Sequence, residues 1–293
     1  MPDTRPWTYE PVKVGLVGAG PWARAAHAPM LAAGPETELT AVWARRPDAA
    51  LELATAYGAA VAGSFDELLD RCEAVAFAVP PDVQAELAVR AAKAGRALLL
   101  EKPLGLDLAA ARRVAEAAGD AGVVTQLVLT NRYLPETRRF LAAARERDVL
   151  GARACCLHGA FLGGDFATPW RLEHGAVLDL GPHLLDLLDA SVGPIVSLRA
   201  TGDPRRWVEL TCEHENGAIS QASLSGAVAL PEGRTRVELF GQGPELVFDA
   251  AGLDHSVCWP TLRGEFGTAV RTGVSSDVDV RRGLRLQELL AMA

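Results

Sequence analysis

Four groups of residues in this chain have types and spacings that could do chemistry. The first is Gly18-Ala19-Gly20-Pro21-Trp22-Ala23, a GxGxxA that follows an apolar run and opens an Ala-rich stretch. In that setting Gly18 permits a tight turn and Gly20 lets the backbone approach a pyrophosphate. Ala23 lets a helix pack closely on the strand, and the helix start offers free N–H groups to the anion, Trp22 among them, while Pro21 lacks an N–H at a place where that costs little. A glycine turn without a ligand is the plainer alternative. The second group is Arg45-Arg46. An acidic residue about 20 residues past the glycines would grip the ribose 2′-hydroxyl of NAD, and no carboxylate stands at the end of this run. Guanidinium pairs with phosphate in bidentate fashion, which favours NADP over NAD. The alternative is one arginine stacked on adenine and the other solvated.

The third group is Glu101-Lys102-Pro103, just past another apolar run. Ligands of open α/β sheets bind beyond the carboxyl ends of the strands, and Pro103 biases Lys102 towards extended backbone. A lone surface lysine is the competing view. The fourth is the stretch Gly175–Asp186, in which Asp179 and His183 stand four apart and so share one face of a helix. Leu178, Leu185 and Leu188 lie beside them, so the pair is either a satisfied core contact or an acid–base site, and spacing leaves both open. Pro182 cannot donate to a helix ladder and should kink it or mark a first turn. His174 lies near this group and could touch substrate. His27, His158 and His255 have no partner spacing, and His214, in Glu213-His214-Glu215, reads as an exposed hairpin residue.

The elements that must position these residues follow from periodicity. Runs at 12–18, 38–44, 74–79, 97–101 and 123–129 read as strands, and the stretches between them as helices at 21–33, 47–57, 64–70, 83–94 and 107–118. Ser64 with Glu67 makes a capping box, and Asp82 and Asp107 are expected N-caps. Such alternation means βαβ units and a parallel sheet, and the continuous apolar strands suit a sheet covered on both faces. The pattern then changes. Helices are expected at 135–147 and 177–190, the second interrupted at Gly181-Pro182, and strands at 196–201, 206–212, 218–224, 235–240 and 245–248. Asn216-Gly217 signals a two-residue hairpin, because both residues tolerate φ > 0. A final amphipathic helix covers 280–292. The fold class is therefore α/β: an N-terminal doubly wound parallel Rossmann sheet over residues 1–122, and a C-terminal α+β domain on an open, mainly antiparallel sheet over 123–293.

Composition narrows the function. The chain has 293 residues, 49% of them hydrophobic, and a net charge of −8. An acidic balance with no basic block speaks against nucleic acid as a partner. No apolar run reaches the ~18 residues of a membrane span, and Met1–Glu10 has no apolar leader core. The cysteines, Cys72, Cys155, Cys156, Cys212 and Cys258, are odd in number and lack metal-ligand spacing, so free thiols, a reducing cytoplasmic location and no metal are expected.

The four groups, in this order, resemble the Gfo/Idh/MocA oxidoreductases, named for glucose–fructose oxidoreductase and inositol dehydrogenase. The resemblance runs through GLVGAGPWA at 15–23, VPPDVQAELAVRAAKAGRALLLEKPLGLD at 79–107, NRYLP at 131–135, PWRLEHGAVLDLGPHLLD at 169–186 and FGTAVRTG at 266–273. It implies hydride exchange between a nicotinamide, NADP or NAD, and a secondary alcohol or ketone of a sugar, cyclitol or related molecule. By motif match Lys102, Asp179 and His183 correspond to the family's catalytic lysine, aspartate and histidine. An imidazole with an ordinary pKa near ~6.5 suits a general base, and Lys102 suits stabilisation of charge on the substrate oxygen. Val79, Pro80 and Glu101 join the glycine motif and the arginines on the cofactor side. Arg132, Tyr133, Arg171 and His174 are implied substrate contacts, and a homo-oligomer through the C-terminal sheet is implied as well. Gln84 stands where the family often has histidine, His174-Gly175-Ala176 replaces a common triple glycine, and the chain is short for the family. A nicotinamide-binding sensor without turnover is the alternative in another functional class.

Overall fold

The computed structural model describes residues 8–293, and most of the Met1–Glu10 segment lies outside them. The chain forms two compact units, one of residues up to Thr130 with Ser256–Leu284, the other of Asn131–His255 with Arg285–Ala293. The division thus differs from one cut at 122/123. Strand 125–127 pairs with 98–100, and the N–H of Leu127 donates to Val278 O at 2.7 Å, so the sheet edge and the late segment both close the first unit.

In the first unit β1 (Val12–Val17), β2 (Thr37–Trp43), β3 (Ala60–Val61), β4 (Ala74–Phe77), β5 (Ala97–Leu100) and β6 (Thr125–Leu127) form one parallel sheet in the order β3-β2-β1-β4-β5-β6. That order reverses between β1 and β4, the switch point where open α/β sheets bind ligands. Val14, Leu16, Val75, Phe77 and Leu98–Leu100 are fully buried. Each contributes roughly 1.5–3 kcal/mol of apolar burial. The crossovers are α1 (Ala28–Ala32), α2 (Pro47–Tyr57), α3 (Phe65–Asp70), α4 (Pro81–Lys93) and α5 (Leu108–Ala121), with a π-helical turn, Ala23–His27, leading into α1.

The caps follow the side-chain chemistry with two differences. Ser64 accepts from Glu67 N–H, but Glu67 reaches back to the N–H of Gly63 rather than Ser64. Asp107 accepts from Ala110 N–H at 2.7 Å. Asp82 is not a cap: α4 starts two residues earlier than expected, at Pro81, whose missing N–H costs nothing in a first turn, and Pro80 occupies the N-cap.

The second unit begins with α6 (Pro135–Arg145) and then β7 (Val149–Leu157), a strand that sequence pattern did not reveal. Its apolar positions are mostly alanine and cysteine, weak strand formers, and only its central place between two partners makes it a strand. After α7 (Pro169–Ser191) come β8 (Ile195–Asp203), β9 (Trp207–His214), β10 (Ile219–Ser225), β11 (Arg234–Gly241) and β12 (Leu246–Asp249). The sheet order is β12-β11-β7-β10-β9-β8, antiparallel except for β7 with β10. Alternation is plain in β9, where Val208, Leu210, Cys212 and His214 are buried and the residues between them exposed. One face therefore packs under α7 and the other is polar.

The turn at 215–218 is not a two-residue hairpin. Only Gly217 has positive φ (83°), while Asn216 uses its side chain, donating to Val192 O at 2.8 Å and accepting from Ala218 N–H at 3.1 Å. His214 is not exposed either. It is 3% accessible, its Nδ1–H donates to Gly193 O (2.6 Å), and its Nε2 lies 2.8 Å from Ser220 Oγ.

The last two helices are α8 (Cys258–Thr272) and α9 (Val280–Leu290). Glycines at 264 and 267 and Pro260 conceal α8 from periodicity. In the structure Pro260 falls in its first turn, where it is tolerated.

Candidate active site

The strand ends of the first unit gather one set of the expected residues. β1, β4 and β5 run parallel, so Gly18–Ala23, Ala78–Pro80 and Glu101–Pro103 all lie at one edge of the sheet, and Arg45-Arg46 follow β2 at the same edge. Gly18 has φ 111°, and a Cβ there would sit 2.3 Å from Ala78 O, so only glycine fits. A Cβ on Gly20 would meet nothing within 4 Å, which leaves open space over the turn for an approaching phosphate. The turn thus fits a dinucleotide pyrophosphate. Arg45 and Arg46 are exposed, and Val79 and Pro80 half-buried.

Lys102 is half-buried in a tightly bonded segment. The Gln84 amide, fully buried, accepts from Glu101 N–H (2.7 Å) and donates to Glu101 O (2.7 Å) and Pro103 O (3.2 Å). One neutral amide therefore fixes the backbone on both sides of Lys102, and needs both a donor and an acceptor to do so. The side chain of Glu101 turns back into the unit. Its Oε1 receives the indole N–H of Trp22 at 2.6 Å and lies 2.8 Å from Nε2 of the fully buried His27. Trp22 in turn stands edge-on to Trp259 of α8, with ring centroids 5.7 Å apart.

The second unit carries the remaining expected residues on or near α7. The expected break at Gly181-Pro182 lies instead at Gly175, with φ 75° and ψ −166°, and the rest of the helix, Pro182 included, keeps helical dihedrals. A Cβ on Gly175 would be 2.4 Å from Pro204 O, the oxygen that accepts the N–H of Ala176 at 2.7 Å. The break therefore starts a fresh helix, and Asp179 and His183 fall on it four residues apart. Asp179 is buried and paired with Arg171, Nε to Oδ1 3.2 Å. Arg171 also donates to Phe166 O and lies 4.9 Å from the Trp170 ring. His174 and His183 are half-buried.

Two expected substrate contacts are placed otherwise. Tyr133 is fully buried, with the Arg138 guanidinium 5.9 Å from its ring. Nη1 of Arg132 binds both oxygens of the buried Asp186, at 3.0 and 3.2 Å, and so braces α7. Within NRYLP, Asn131, Tyr133 and Leu134 are buried. His27 and the Gln84 clamp were missed because nothing in spacing links residues 74 and 17 positions from Glu101. The one available signal was a polar ring inside an alanine-rich helix.

A Rossmann sheet with a glycine turn at the end of β1 that fits a phosphate is the fold of nicotinamide-dependent oxidoreductases. Family models agree: one described as an oxidoreductase family with an NAD-binding Rossmann fold matches residues 12–128, and the GFO/IDH/MocA C-terminal domain matches 148–246. The chain belongs to the GFO/IDH/MocA oxidoreductases and transfers hydride between a nicotinamide and a secondary alcohol or ketone. It is 29% identical to a dTDP-3,4-didehydro-2,6-dideoxy-alpha-D-glucose 3-reductase of Streptomyces violaceoruber over 96% of this chain and 78% of that protein. It is 34% identical to the like-named enzyme of Actinomadura kijaniata over 60% of this chain, which spans 54% of that relative. The crystal structure of GenD2 from gentamicin A biosynthesis in complex with NAD superposes with a TM-score of 0.84 at 26% identity, covering 97% of this chain and 93% of that one. No helix among the described residues is long and apolar enough to cross a membrane.

Proposed function

We propose that the chain is an NADP-preferring dehydrogenase or reductase acting on a secondary alcohol or ketone of a sugar, cyclitol or related polyol. The observation that carries this reading is Lys102, held at the carboxyl end of β5 on the same sheet edge as the glycine turn. The names of the relatives, which are reductases of a keto sugar, support a carbohydrate substrate.

When bound, the nicotinamide supplies the hydride carrier. Lys102 donates to the substrate oxygen and stabilises the negative charge that develops there. His183 takes the hydroxyl proton during oxidation and returns it during reduction. Asp179, fixed by Arg171, orients His183 one helical turn on, and Arg171 and His174 present donors to substrate hydroxyls. Arg132 braces α7 through Asp186 instead, and Tyr133 is buried beside Arg138 of α6. Purified protein with NADPH or NADP and a panel of sugars, inositols and keto sugars tests this. Lys102→Ala and His183→Ala should each lose about 10²–10⁴-fold in turnover and still bind cofactor. Wild-type turnover in either variant rejects its assignment.

The exposed Arg45-Arg46 pair, with no acid before Asp48, supports NADP over NAD. An Arg45→Ala/Arg46→Ala protein should lose its preference for NADP in a binding titration, and a wild type that prefers NAD refutes the choice. The polar sheet face, with Arg153, Glu209, Arg236 and Glu238 around a cavity of about 310 Å³, supports self-association through that sheet. Sedimentation velocity of wild type and Glu209→Arg tests it. Thiols at all five cysteines, with Cys72 and Cys212 pushed up to about 11 by burial, support a reducing cytoplasmic location.

A further inference from the structure

Glu101 gathers three contacts that the hydride chemistry does not itself use, one residue before Lys102. Oε1 meets Trp22 Nε1 and His27 Nε2, and Oε2 is 3.3 Å from the N–H of Lys102. An indole nitrogen can only donate, so Oε1 is an acceptor. The same oxygen accepts from His27 when the imidazole carries its proton on Nε2. Nδ1 of His27 is buried and has no hydrogen-bond partner, which suits the bare nitrogen of that tautomer and would leave an N–H unsatisfied in the other.

The Gln84 clamp fixes the backbone at Glu101 and Pro103. The Glu101 side chain is the freedom that remains, and the His27 and Trp22 donors remove it. We infer that His27 is a positioning residue for Lys102, acting through Glu101: its N–H holds the carboxylate where Oε2 can take the Lys102 N–H. Without that donor the carboxylate re-orients towards Trp22 alone, and the N–H of Lys102, lying between the two residues that Gln84 clamps, loses Oε2 as an acceptor, so the lysine peptide can tilt. Reaction rates fall steeply with small errors in the placement of a reacting group. Trp22 belongs to the nucleotide-binding turn, so one carboxylate also ties that turn to the lysine.

This inference rests on the reading of Lys102 as the catalytic lysine. Its test uses the full chain as wild type, His27→Leu, His27→Gln, Lys102→Ala and the double variant His27→Leu/Lys102→Ala. The readouts are NADPH affinity by fluorescence titration, turnover with the best substrate of the panel, and the rate of reductive methylation of Lys102 in the cofactor-free protein by mass spectrometry. His27→Leu should lower kcat about tenfold with the NADPH Kd within twofold, and change the methylation rate of Lys102 at least threefold. His27→Gln, whose amide can still donate to Glu101, should recover both to within threefold of wild type. In the Lys102→Ala background His27→Leu should have no further effect on turnover. If His27→Leu does not fold, His27→Asn, too short to reach the carboxylate, takes its place. A kcat within twofold of wild type, an unmoved methylation rate, a glutamine no better than leucine, or additive losses in the double variant each overturn the inference and leave the catalytic reading intact. Wild-type turnover in Lys102→Ala overturns the catalytic reading and the inference together.

Discussion

Lys102 and His183 are held in place by different means. Around Lys102 the contacts are amide, indole and imidazole groups gathered on one carboxylate and on the backbone itself. Around His183 they are full ion pairs made by the helix that carries it. Asp179, Asp186 and Asp189 of α7 each pair with an arginine, Arg171, Arg132 and Arg285 respectively. A strand end has unsatisfied N–H and C=O groups, so a side-chain amide can grip it directly. A helix has already used its backbone groups, and charges on its flank are what remain to fix its place and rotation.

The largest effect should come from breaking an ion pair on α7. Arg132→Leu removes both hydrogen bonds that Nη1 makes to the carboxylate of Asp186, 1% accessible, and should cost about 3–5 kcal/mol in chemical denaturation. Arg132→Leu/Asp186→Leu should recover most of it, and equal losses in the single and double variants would show that the charge pair is not the brace. Next, Gly175→Ala should cost about 1–3 kcal/mol through its left-handed backbone, and a crystal structure should show Pro204 displaced; an unshifted Tm removes the claim that this break sets the start of the helix. On the strand-end side, Gln84→Leu should cost about 1–3 kcal/mol, because it strands the backbone groups it now satisfies. Its turnover should fall further than that of Arg132→Leu at matched stability, and the reverse ranking would erase the contrast between the two regions.

The smallest effect concerns pH. Burial lowers the pKa of His214 below its ordinary value of 6.5, opposed by the contact with Gly193 O and by Asp189, which Arg285 pairs. The unfolded chain therefore takes up this proton more readily than the folded one. Stability from this group is complete above about pH 7.5 and declines as pH falls through 6.5. Denaturation midpoints of wild type and His214→Gln between pH 7.5 and 5 should converge at the acidic end; parallel curves would refute the assignment.

The buried apolar runs made the parallel sheet legible, because both of its faces are covered and no alternation is needed. The glycine turn and the strand-end lysine were legible because each demands particular residue types. β7 was hidden because alanine and cysteine become a strand only through their neighbours. His214 was misread because its burial depends on Gly193 and Ser220, 21 and 6 positions away. The burial of Tyr133 and the pairing of Arg132 with Asp186 were not legible, because a motif does not say which way its side chains face.

The late segment of the first unit has a consequence for the order of folding. Arg263 pairs with Glu36 at 2.6 Å, Arg271 with Glu73 at 2.7 Å, and Val280 N–H donates to Thr125 Oγ1 at 3.1 Å. These closures reach back across more than 150 residues of chain. During synthesis β1 to β6 therefore emerge from the ribosome long before α8, and Glu36 and Glu73 wait without these arginines while residues 131–255 of the second unit are made. The earlier-made sheet is thus among the last parts to be finished.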